Sequence, residues 1–267
     1  MSALFSSTLR QALRGVANYA LGMVFYLWLF IWVYPSFAGS TTLNTLLQNL
    51  PPGLLRVLGY SLGGTSLSGF LAGEFYSLVY LLILAIYVLV TGTRLMAHLV
   101  DNGSMAYLLA TPVSRRRIAA AQALVLLCGV VIIAGATTAG GLLGAHWFAA
   151  HEHLPAWSFV KLNLVGMLVF MVVASYAFLF SALAADERSA MGLSAVLTLA
   201  FYGLHVLGDL STRLAWVAHL SLFNVFNAQS LLAGRGHVLV DAVALAGAAL
   251  VLLGGAVSGF ERRQLSL

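Results

Sequence analysis

Charge is scarce in this sequence. Only 8% of its 267 residues are Asp, Glu, Lys or Arg, whereas a soluble domain carries roughly 25–35% of these types on its surface, so a free-standing water-soluble fold is excluded. Cysteine is scarcer still: Cys128 stands alone within an apolar run, which rules out an intramolecular disulfide framework and leaves it a packing role. The one lysine, Lys161, follows Val160, and without a Gly-Lys pair there is no phosphate loop and no ATPase in this chain. Ionisable groups deep within the apolar runs are nearly missing, which removes the buried relay that proton-coupled carriers use.

Catalytic constellations are equally thin. His151-Glu152-His153 sets two imidazoles at i, i+2, not the helical spacing of a zinc hydrolase, and reads as a solvated polar loop. Ser66 or Ser68 with His205 would be needed for a Ser/His dyad, yet the glycine-rich stretch 63–69 reads as a loop. No catalytic, cofactor-binding or metal-ligating residue is expected.

What the sequence has is hydrophobicity: 61% apolar residues and a mean hydropathy of +0.97. The apolar runs fall at 18–39, 74–100, 118–147, 161–184, 190–208 and 238–260, each long enough for a helix to cross about 30 Å of hydrocarbon. The first exceeds a signal-peptide core and carries Trp28, Trp32 and Tyr34 near its far end, as a permanent anchor does. These runs predict an all-α, polytopic, single-domain membrane protein with six spans over 1–267.

Six crossings put both termini on one side. That side holds Arg10, Arg14, Arg94, Arg115, Arg116, Arg117, Arg188, Arg262 and Arg263, nine basic residues against four (Arg56, Lys161, Arg213 and Arg235) on the other. The asymmetry predicts cytoplasmic termini in the plasma membrane. The net charge of +5 does not mark a nucleic-acid binder, because the arginines cluster at span ends, where orientation and anionic lipid account for them.

Two external connections are more than loops. Segment 46–73 contains Pro51-Pro52-Gly53 and enough leucine to lie on the interface. Segment 214–233 is nearly long enough to span but carries His219, Asn224, Asn227 and Gln229, which favours a re-entrant or interfacial hairpin over a crossing. Glu74 and Asp241 near outer span ends, with His205 near the end of the fifth span, are candidates for an outer gate. Ala136, Gly140 and Gly144 in the third run, and Gly247, Val251 and Gly254 in the sixth, offer surfaces for close helix approach.

The connection between spans two and three carries the functional signal. Asp101, Asn102 and Ser104 are capping types, the residues from Met105 to Ala110 favour helix, and Pro112 disfavours α geometry at Thr111, predicting a short surface helix with a hard stop. Ser114 can cap the next helix, leaving Arg115, Arg116 and Arg117 in its first turn. Cations there oppose the helix dipole by roughly 0.3–1 kcal/mol each. Lipid phosphates explain much of that placement; a cytoplasmic partner gripping Met105, Tyr107, Leu108 and Leu109 is the sharper explanation.

The run Gly103-Ser104-Met105-Ala106-Tyr107-Leu108-Leu109-Ala110-Thr111-Pro112-Val113-Ser114-Arg115-Arg116-Arg117 resembles the segment of ABC type-2 exporter permeases that ends in Thr-Pro-Val-Ser-Arg. Phe260-Glu261-Arg262-Arg263-Gln264-Leu265 is similar to that family's Phe-x-Arg-Arg-Asp-Leu ending. Gln264 and Gln122 depart from the family pattern, which has an acidic residue and often a lysine there. The resemblance implies a non-enzymatic permease subunit that dimerises as a homo- or heterodimer and moves a hydrophobic or amphipathic substrate outward. ATP and Mg would be bound and ATP hydrolysed by a separate nucleotide-binding subunit. It also implies a coupling role for Asp101 and Gly103 to Arg117, and for a cytoplasmic amphipathic helix over 6–16 bearing Leu9, Arg10, Leu13 and Arg14. A membrane scaffold or sensor without transport of its own is the alternative.

Overall fold

The computed structural model describes residues 2–37, 49–51, 53–54, 66–103, 114–150, 152, 154–184, 186–210, 212–234 and 238–262. Among them there is no strand, and six helices are long and apolar enough to cross a membrane: α1 (Ser2–Phe37), α2 (Leu67–Asp101), α3 (Arg115–Phe148), α4 (Ala156–Leu183), α5 (Glu187–Leu210) and, last in the chain, α8 (Val238–Arg262). Two short helices, α6 (Ala215–Ala218) and α7 (Ala228–Leu232), interrupt the segment before α8. The all-helical, six-span expectation is borne out.

The boundaries differ because helices outrun their hydrocarbon-matched cores. The first helix is continuous from Ser2, so residues 6–16 form no separate amphipathic element but the start of α1, with Arg10, Leu13 and Arg14 exposed. The second begins seven residues ahead of Glu74, where the Ser66 hydroxyl accepts from the Gly69 amide at 3.3 Å and caps it. Ser66 and Ser68 are therefore a helix start, their hydroxyls 3.1 Å apart. At the other end Asp101 is the last residue of the helix, and the short helix predicted over Met105 to Ala110 lies outside the described residues. Ser114 starts α3 through its carbonyl, which accepts from Arg117 and Ile118; its side chain makes no capping bond.

The bundle is built around α4. Of its most apolar stretch 67% is buried, against 28% for α1, 17% for α5 and 11% for α8, and it touches α2, α3, α5 and α8. One end is an aromatic core in which Tyr76, Tyr80, Phe159, Phe170 and Phe226 pack edge to face, with Tyr80 stacked on Phe226 at 5.6 Å. Asn163 of α4 donates to the Tyr76 hydroxyl at 3.0 Å and to the Phe159 carbonyl, so this buried amide is partnered within the hydrocarbon zone.

Segment 212–234 contains no helix long enough to span. Its short helices fold onto α2, α4 and α5 with Phe223, Phe226, Leu231 and Leu232 buried. Buried irregular backbone needs internal partners, and it has them. Ser221 donates to the Phe201 carbonyl at 2.6 Å and accepts from the Phe223 amide, while the Asn227 side chain caps α7 through the Ser230 amide at 3.0 Å.

The small residues of α3 meet α1 within the same chain. Trp28 donates its indole N–H to the Gly140 carbonyl at 2.8 Å, and a Cβ at Gly140 would stand 2.8 Å from Val24. On α8, by contrast, Gly247 and Gly254 face open space. Gly140→Leu should therefore wedge α1 from α3 and cost about 1–3 kcal/mol, seen as a lower thermal midpoint in detergent, whereas Gly247→Leu should leave that midpoint within the range of a surface change, about 0.5 kcal/mol.

Candidate functional site

The predicted contact segment joins α2 to α3, and of its residues Ser104, Met105, Tyr107, Leu108, Leu109, Thr111 and Pro112 lie outside the described residues. Its two anchors are described. On one side α2 closes at Asp101 and turns through Gly103, whose φ of +72° is the left-handed conformation that costs a residue with a Cβ about 1–2 kcal/mol. The Gly103 amide donates to the Val100 carbonyl at 3.1 Å and the Asn102 amide to that of His98, which closes the helix end. On the other side Arg115, Arg116 and Arg117 form the first turn of α3, which carries no acidic residue of its own.

Just before this anchor α2 departs from α-helix. Arg94–His98 is a π-helical stretch, in which amides reach back five residues instead of four. Ser181 of α4 fills the disturbed ladder: its hydroxyl donates to the Thr93 carbonyl at 2.6 Å and accepts from the Ala97 amide at 2.9 Å and the Met96 amide at 3.3 Å. Thr93, Met96, Ala97 and Ser181 are all fully buried. One hydroxyl thus ties the arginine-side end of α2 to the central helix.

A second tie runs to α5. Glu187, in the first turn of α5 where a carboxylate suits the helix dipole, accepts from Arg94 Nε at 3.2 Å and lies 2.7 Å from His98 Nδ1. Arg94 and His98 sit four residues apart on the π stretch and converge on one carboxylate. The pairs are partly exposed, so their contribution is screened, but they join the end of α2 to the start of α5. Asp186 caps the same helix, accepting from the Ser189 amide at 2.8 Å and hydroxyl at 2.9 Å. These bonds, the amide first, hold its carboxyl below the ordinary range. The cap is thus complete above about pH 3.9 and is lost as acid protonates it.

Spacing in the sequence could not bring Ser181 or Glu187 to this site. Both sit more than eighty positions from their α2 partners, and a serine in an apolar run gives no signal of its own. Gln122 is buried in α3 with Oε1 lacking a partner among the described residues. The three gate candidates are spread out. Glu74 lies in a π-helical stretch of α2, Leu71–Val79, and Asp241 in the first turn of α8. His205 instead lies 3.6 Å from Asp209 through Nε2, in a cavity that neither Glu74 nor Asp241 lines. Leu9 is in α1, and its partners are not described.

A family model described as "ABC-2 family transporter protein" matches residues 3–265. No curated protein matches the chain.

Ser181→Ala leaves buried amides and the Thr93 carbonyl short of a partner, and it should cost about 1–3 kcal/mol of stability by thermal unfolding in detergent. Glu187→Gln, on a partly exposed pair, should cost less than about 1 kcal/mol in the same assay. If both act as transmission ties, each should lower transport in the assembled complex by more than its loss of folded protein.

Proposed function

The chain belongs to the ABC-2 transporter family, and from that premise we propose that it is the permease subunit of an exporter whose ATP is bound, with Mg, and hydrolysed by a separate nucleotide-binding subunit. The observation that carries this reading is the family match over residues 3–265, nearly the whole chain, joined to six spans and a sequence without a phosphate loop. Both termini face the cytoplasm of the plasma membrane, as the nine-to-four distribution of Lys and Arg supports. A second permease copy, identical or related, completes the translocating pair.

In this reading the ATPase subunit grips the segment 101–117 from the cytoplasm. Closure of the ATPase pair pulls on that segment, and the pull enters the bundle at the π stretch of α2. Ser181 passes it to α4 and Glu187 passes it to α5. A π-helical stretch suits such a joint, since its looser ladder rearranges at lower cost than a regular helix. The apolar interior of the bundle supports a hydrophobic or amphipathic cargo.

Leu108→Glu with Leu109→Glu should remove the apolar grip. Each leucine buried against a partner contributes about 1.5–3 kcal/mol, so the ATPase subunit should bind about a hundredfold more weakly or worse, measured by co-purification, with insertion unchanged. Undiminished export in vesicles from this variant would overturn the coupling role. Selective labelling of Arg116→Cys, in a Cys128→Ser background, from the external side would overturn the orientation.

A further inference from the structure

At the ends of α2 and α5 remote from the arginines lies a cavity of about 110 Å³. It has room for several waters or one small polar group, since a water needs about 10–15 Å³ by this measure. Its polar lining includes Ser77, His205, Asp209 and Asn227. Asp209 supplies the carboxylate, and among the described residues no lysine or arginine lines the space. The Ser77 hydroxyl donates to the Ala72 carbonyl at 2.8 Å, five residues back in the π stretch, which leaves its oxygen as an acceptor. His205 Nε2 lies 3.6 Å from the Asp209 carboxylate, which favours the tautomer protonated there; Nδ1, on the other edge of the ring, is buried away from the cavity with no partner among the described residues.

The cavity does not end at its polar wall. Leu81 and Tyr202 also line a second space of about 140 Å³, whose remaining lining includes Leu78, Leu82, Ala85 and Leu199. Leu78, Leu82 and Leu199 are exposed on the outside of the bundle, so this groove opens toward lipid. The order along both helices is the same. On α2 the polar lining starts at Ala72 and the apolar lining reaches Ala85; on α5 the polar lining starts at Asp209 and the apolar lining reaches Thr198. Polar space sits at the span ends and apolar space deeper, as the head and tail of a lipid are arranged in one leaflet.

We propose that these two spaces form one site for a single-chain amphiphile with a protonated amine head, the ammonium against the Asp209 carboxylate and the chain along Leu78, Leu82 and Ala85. The head is a cationic donor because the charged group facing it is a carboxylate, with the Ser77 oxygen nearby as an acceptor. Treating this molecule as cargo rests on the proposed export function; its binding does not.

The test uses the full chain in phosphatidylcholine nanodiscs, titrated calorimetrically with tetradecylamine, tetradecanoate and propylamine against empty nanodiscs. Tetradecylamine should bind about tenfold or more tightly than tetradecanoate, the worth of one charge-assisted contact. Asp209→Asn should erase that preference with the thermal midpoint retained. Ala85→Trp, or Leu78→Trp should the first variant fold poorly, should weaken tetradecylamine and leave propylamine weak throughout. Equal binding of amine and carboxylate, an unchanged preference in Asp209→Asn, or propylamine binding as tightly as tetradecylamine would each overturn the site. Binding without ATP-driven export in the assembled complex would keep the site and sink the transport reading. Export with no amine binding would do the reverse.

Discussion

In hydrocarbon a backbone amide without a partner has no water to fall back on, and each such group costs several kcal/mol. The points where this chain leaves regular helix are the points where another side chain takes over the missing bonds. Ser181 serves the π stretch at the arginine-side end of α2, Ser77 the π stretch at its other end, and Ser221 and Asn227 the broken segment before α8. These residues are small and neutral, so they repair a ladder without bringing a charge into the membrane.

That constraint organises the bundle. The most buried helix, α4, carries Asn163 toward one end and Ser181 toward the other, and through them it touches both irregular stretches of α2. The most buried helix is thus the one that the least regular helix is bonded to. At the arginine side the arrangement is a joint with ties to α4 and α5; at the opposite side it is an aromatic core with a polar cavity beside it. A displacement at one end of α2 has a continuous helical path to the other, which is what a permease driven from one face requires.

The six spans were readable because apolar runs of this length have no other stable destination, and the triple arginine because charge clusters survive without any knowledge of packing. Gly103 was readable as part of a motif, and its left-handed backbone supplies the reason a glycine stands there. Helix ends were read less well. The stretch 63–69 read as a glycine-rich loop, yet α2 begins at Leu67 and tolerates Gly69 and Gly73 because Phe70, Leu71 and Phe75 around them are buried against the rest of the protein. His205 was noticed as a polar residue at a span end, but its neighbour Asp209, one turn away, was not singled out.

Composition and charge order determined on their own that this polypeptide lives in a bilayer and how often it crosses, because insertion energetics depend on each segment almost independently of the others. Which helix is central, where α2 becomes π-helical, and that Ser181 and Glu187 hold its end were decided only in three dimensions. Those features depend on close packing and on hydrogen bonds between residues far apart in the chain, and no local pattern of hydrophobicity encodes such distances.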